Sequence, residues 1–212
     1  MTYVKASVRR PAGNPGNGIQ PKDQLVIYDV DDILSFPQRN DAGVVIEDDI
    51  VMKAGRYAIG IYLTPGTAEI SSNSDGETDA EGYTPSVKFN HPGNEQEIRE
   101  FKTNWLSKKC IVVLRYCSGK PADLIGTPCN PCKLSVSYTG SNESNTNELT
   151  FTQISKGYDI AIYRGTDTLE EPVAVVEAGA TDIDYQTDGQ YQLSAGAAKI
   201  AGVTGGSHGS VI

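Results

Sequence analysis

Hydrophobic and polar positions follow two rhythms along this chain. In the first, apolar and polar residues alternate: Leu134, Val136 and Tyr138 against Ser135, Ser137 and Thr139, then Leu149, Phe151 and Gln153 against Thr150 and Thr152. A period of two predicts strands with one wet face. Strand-like stretches also run through "QLVIYDV" (Gln24 to Val30), "GVVIEDDIVMKAG" and "RYAIGIYLTPG", where β-branched and aromatic residues sit between Gly and Pro punctuation. The second rhythm occurs once. In "HPGNEQEIREFKTNWLSKKC", Ile98, Phe101, Trp105 and Leu106 fall at helical spacing, and Arg99, Glu100, Lys102 and Lys108 occupy the other face.

Several end signals support that helix, expected over about 94–108. Pro92 and Gly93 break what precedes it, Asn94 is placed to cap, and Glu97 completes a capping-box spacing. Lys108 and Lys109 close it, where cations suit the negative end of the helix dipole. One amphipathic helix among strands predicts a mainly β fold, an antiparallel sandwich or barrel with a flanking helix. Ile98, Phe101, Trp105 and Leu106 are then the residues that seal its core.

Three polar segments frame this body. Residues 1–23 are rich in Gly and Pro and are expected to form an extended arm. Thr64 to Tyr83 reads as a long acidic loop carrying Asp75, Glu77, Asp79 and Glu81 and no Lys or Arg. From Gly165 the chain becomes small-residue-rich and acidic, with Asp167, Glu170, Glu171 and Glu177 among its acids. The expected division is an arm (1–23), a β domain with its helix (24–165), and a linker strand with a partial Gly-rich β appendage (166–212). The ending "GSVI" resembles the middle of a strand.

Charge narrows the partners. With 18 Lys and Arg against 27 Asp and Glu, the formal charge is −9, unsuited to gripping phosphate. No apolar run reaches membrane-spanning length, and the N-terminus has no signal-peptide core, so synthesis in a cytoplasm is expected.

Candidate chemistry is sparse. Cys110, Cys117, Cys129 and Cys132 include the CxxC of "CNPC". Zinc held by all four is disfavoured because a strand through "IVVLRY" keeps Cys110 and Cys117 roughly 20 Å apart, at about 3.3 Å per residue. Free thiols without metal or obligatory disulfide are expected. His91, before the helix, reads as a residue bonded to backbone, and His208 sits in the Gly-rich tail, a poor setting for a base. An EF-hand template laid from Asn73 fails at Thr78 and Thr84. "NES" at Asn142 is a formal sequon in a polar turn. Neither a phosphate-binding loop nor a dinucleotide fingerprint is present, and neither a cofactor nor catalytic activity is expected.

The order of phrases carries a resemblance. "DVDDILSFP", "GVVIEDDIVMKAGRYAIGIYLTPGT", the acidic segment, "KFNHPGNEQEIREFKTNWLSKKCIVVLRYCSGK", "LIGTPCNPCKL" and "ELTFTQISKGYDIAIYRG" together resemble the tail tube (major tail) proteins of phages infecting Bacteroidetes-type hosts, over roughly Gln24 to Gly165. The Gly-rich tail resembles C-terminal β appendages of phage structural proteins. The resemblance implies a virion subunit whose hexameric rings join sheets edge to edge and stack into a tube for double-stranded DNA. Its partners would be copies of itself and other tail proteins, with no membrane. An acidic lumen would repel phosphates and let DNA slide. The acidic loop is then expected to reach the next ring, with Asp75, Glu77, Asp79 and Glu81 facing basic groups such as Arg9, Arg10 and Lys22 of the arm. Other readings on a β scaffold are a head decoration or tail-completion protein, and a carbohydrate-binding or adhesin sandwich. Trp105, claimed by the helix stripe, argues against a sugar platform.

Overall fold

The computed structural model describes residues 5–14 and 16–169, together with the strands at 174–176, 182–184, 191–193 and 202–204. The chain divides into two units, Met1–Leu169 and Glu170–Ile212. The first is a mainly antiparallel β-sandwich with one helix, and its sheet does not close into a barrel.

Two strands form its centre: β1 (Pro21–Asp29) and β8 (Cys110–Tyr116), paired antiparallel from Leu25↔Leu114 to Asp29↔Cys110. Between them lie β2 (Ile33–Ser35), β3 (Val45–Ile46), β4 (Val51–Met52), β5 (Ile59–Tyr62), β6 (Glu69–Asp75), β7 (Gly82–Pro92) and the helix α1 (Gln96–Trp105). After β8 come β9 (Ala122–Ile125), β10 (Cys132–Gly140), β11 (Asn145–Gln153) and β12 (Ala161–Tyr163). On one side β1 pairs with β5. The other edge of β8 is shared: β9 takes Val112 to Leu114 and leads on to β12 and β3, while β10 takes Cys110 alone and leads on to β11, β7 and β6.

The branching explains the unbroken apolar runs. Leu25, Ile27, Val112 and Leu114 point into one core, meeting Val87, Phe89, Leu134, Leu149 and Phe151 from β7, β10 and β11. Val26, Tyr28, Ile111 and Val113 point the opposite way into a second core with Ile46, Ile50, Leu124 and Tyr163. A strand buried on both faces must be apolar at every position, whereas the alternating β10 and β11 have one solvent face. β2 and β4 pair as a separate small ribbon.

The helix is shorter than its sequence signals. It spans Gln96–Trp105 rather than 94–108, and its N-cap is Glu95, with no side-chain capping bond. Asn94 is diverted: its Oδ1 accepts from Lys102 Nζ at 2.9 Å. Buried Asn147 of β11 fixes the helix entrance, its Nδ2 donating to the Gly93 carbonyl at 2.6 Å and its Oδ1 accepting from Lys102 at 2.6 Å. Ile98 is buried, while Phe101 and Trp105 pack half-covered against the core rim and stack with centroids 5.6 Å apart. Leu106 does not seal anything. It is the helix C-cap, 54% exposed, and stands outside the core that Ile98, Phe101 and Trp105 join.

The expected loop from Thr64 to Tyr83 is largely a hairpin. β6 pairs with β7 from Glu69↔Lys88 to Asp75↔Gly82, and only 76–81 turn. Its polarity misleads because β6 rests a single apolar residue, Ile70, against the core, while Ser71 and Ser72 are half-covered and bonded to Ser86 and Asp159. The arm also ends earlier than residue 23: β1 starts at Pro21, placing Lys22 in a strand. The second unit holds two parallel pairs, β13 (Ala174–Val176) with β15 (Tyr191–Leu193) and β14 (Asp182–Asp184) with β16 (Gly202–Thr204). His208 lies outside the described residues.

Candidate assembly surface

Sheet order leaves β6 at one end, and the hydrogen-bonding parity of β7 shows which of its groups are free. Tyr83 exchanges both backbone hydrogen bonds with Gly157, at 3.0 and 2.9 Å, on the flank away from β6. Backbone groups alternate sides along a strand, so Thr84, Ser86 and Lys88 face β6 and meet Asn73, Ser71 and Glu69. Ile70, Ser72 and Ser74 therefore direct their N–H and C=O groups outward. No backbone bond outside the hairpin engages them among the described residues. Such an edge is a template for another strand. The opposite terminus of the sheet, two-residue β3, is too short to serve similarly, and Asn40 covers it by accepting from Val44 and Val45 N–H through Oδ1.

The hairpin tip is built to be tight and acidic. Gly76 has φ +143°, and a Cβ there would lie 2.3 Å from the Ala80 carbonyl oxygen, so only glycine fits. Asp79 occupies the left-handed region at φ 70°, which aspartate tolerates. Asp75 Oδ1 accepts from the Gly76 N–H at 2.8 Å, and its Oδ2 pairs with Lys156 at 3.1 Å. The hydrogen bond from Lys156, then the Gly76 amide, hold Asp75 below the ordinary carboxylate range. Asp75 is thus paired within its own chain, although its side chain stays 78% exposed. Glu77, Asp79 and Glu81 are exposed and make no ion pair among the described residues. Arg9, Arg10 and Lys22 are exposed and, among the described residues, make no ion pair with the tip.

A second polar cluster joins residues far apart in the sequence. Arg115 of β8 pairs through Nε with Asp167 and donates through its terminal nitrogen to the Gly165 carbonyl at 2.7 Å. Tyr28 donates to the other Asp167 oxygen at 2.5 Å, and burial followed by that carboxylate pushes its phenol strongly upward. Tyr163 donates to the Thr166 carbonyl at 3.1 Å, and Asp49 Oδ1 accepts from the Thr166 N–H at 2.7 Å. These bonds clasp Gly165 to Asp167 onto the second core, which is why the first unit runs on to Leu169 instead of ending at Gly165. In the sequence Asp167 is one acid among several. A partner 52 residues away leaves no local trace.

The cysteines occupy two environments. Cys110 and Cys132 are buried and opposite one another across the β8–β10 seam, while Cys117 and Cys129 are exposed, and all four are free thiols. Burial pushes Cys110 up to about 12 and moves Cys132 upward as well. His91 lies in β7 and contacts the Tyr62 carbonyl through Nδ1 at 2.9 Å, which requires the Nδ1–H tautomer. Among the described residues no three His, Cys, Asp or Glu side chains converge as a metal site would need, and no helix is long and apolar enough to cross a membrane.

Comparison with protein-family models, with curated proteins and with solved structures finds no match to this chain.

Proposed function

We propose that this chain is a structural virion protein that assembles with copies of itself into stacked, hexameric rings forming a phage tail tube through which DNA passes. The observation that carries the reading is the outward-facing edge of seven-residue β6, which pairs on one side only. A subunit that closes rings by joining sheets needs two edges, one for each neighbour, and β10 beyond Cys132, paired only with β11, offers the second. The phrase order in the sequence supports the same class, and the net charge of −9 suits a conduit that must not hold phosphates. Glu77, Asp79 and Glu81 at the tip are then positioned to meet Arg9, Arg10 and Lys22 of the next ring.

The test is electron microscopy and sedimentation of the purified full chain over rising concentration. Rings and tubes are expected, with stacking weakened by added salt because exposed ion pairs are screened within about 8–10 Å at moderate ionic strength. Closed rings that never stack would transfer the reading to a tail-completion or head-decoration protein. A monomer at every concentration would overturn it.

A further inference from the structure

We propose that Cys110 and Cys132 form an oxidative modification site, where a low-molecular-weight disulfide converts the two core thiols into an intrachain disulfide stapling β8 to β10. The inference stands apart from the assembly reading. It rests on register: Cys132↔Cys110 is the single residue pair that joins these strands, and so joins the two halves of the branched sheet. Residues directly opposed in an antiparallel ladder have Cα atoms about 4.5–5.5 Å apart, inside the span a disulfide bridges. Both side chains point into the same core, and the Cys110 thiol donates to the Cys132 carbonyl at 3.4 Å. Gly126 closes over the pair, with a position for Cβ only 3.2 Å from Cys132 Sγ, so both sulfurs are shielded from bulk oxidant.

Shielding makes the pair an end point, and Cys129 supplies the entrance. It is exposed on the Thr127–Asn130 turn, closed by reciprocal backbone bonds of 3.0 and 3.1 Å, and stands at CxxC spacing from Cys132. The Cys129 thiolate attacks the small disulfide, forming a mixed disulfide and releasing one small thiol. Cys132 displaces the second small thiol to give Cys129–Cys132, and Cys110 then attacks Cys132 sulfur and expels Cys129 as thiol. In sum, one small disulfide is reduced to two small thiols, which take up the two protons, while Cys110 and Cys132 are oxidised by two electrons. The seam helps because it is one pair wide and opens more readily than the nine-pair β10–β11 ladder.

Folded full-length protein incubated with glutathione disulfide, alkylated and digested without reduction tests this. The expected product is a Cys110–Cys132 linked peptide, accompanied by a higher denaturation midpoint. Cys129→Ser should slow its appearance about tenfold or more without changing the product, and Cys117→Ser should leave rate and product alone. A stable Cys129–Cys132 link, or core thiols still reduced after Cys117 and Cys129 have become mixed disulfides, would overturn the proposal. The wild-type digest decides the outcome even where a substitution at Cys110 or Cys132 impairs folding.

Discussion

Strands β8 and β6 belong to one sheet yet live in opposite surroundings. β8 is apolar on both faces, is hydrogen-bonded along both edges, and anchors Asp167 through Arg115. β6 is mostly Ser, Asn and Asp, touches the core through Ile70, and has one edge open. The first arrangement fixes the subunit and leaves nothing to offer a partner. The second contributes little to the subunit and keeps a row of backbone groups available. Under the proposed assembly, stability and association fall to different strands, so it should be possible to damage either separately.

The largest effect is expected at the core that β8 shares with β11. Phe151→Ala removes a fully buried ring and should cost about 3–5 kcal/mol, read from chemical denaturation. Next comes the clasp. Arg115→Ala leaves the Asp167 carboxylate, only 6% exposed, without its cation and should cost roughly 2–3 kcal/mol, somewhat below the fully buried case because Arg115 is itself 28% exposed. An unchanged midpoint would show that Tyr28 alone satisfies Asp167.

Trp105→Ala should cost only about 1–2 kcal/mol, since the indole covers the rim rather than filling the interior. A loss as large as that for Phe151 would restore the helix to the role of a core seal. At the hairpin, replacing residues 76–81 by Asn-Gly should leave the midpoint within about 0.5 kcal/mol while shortening or abolishing tubes. Tubes of normal length from that variant would reduce the tip to solvated polarity, and a collapse in stability would erase the contrast between the strands.

The smallest effect concerns Asp123 of β9. Burial pushes its carboxyl above the ordinary range, against the opposing hydrogen bond from Tyr116. A carboxyl whose folded pKa is raised favours folding below its unfolded pKa, and that contribution is lost as pH rises through the folded value. Asp123→Asn keeps an acceptor for Tyr116 without the charge. It should raise the denaturation midpoint slightly at pH 7 and lose that advantage near pH 3; a lowered midpoint at pH 7 would mean the ionised form is needed.

The class of fold, the helix and most of the strands are legible in the local pattern of residues. Alternation in Leu134 to Thr139 and Leu149 to Gln153, together with the single helical stripe, is local information, because period and side-chain type act on the nearest backbone. The same locality explains the errors. Asn94 has the residue type of a cap, yet its side chain is held by Lys102, and Leu106 keeps the stripe spacing past the last helical residue. The acidic segment hid a strand because an edge strand needs few apolar residues once a neighbour supplies its hydrogen bonds. Of the proposed assembly surface, the charges were legible and the open backbone edge was not. Only tertiary structure decided that β1 and β8 are buried on both faces, that Arg115 meets Asp167, that Asp75 is occupied by Lys156, and that Cys110 stands opposite Cys132. Each of these depends on register and on residues far apart in the chain meeting across a shared core, and a one-residue slip would exchange every partner.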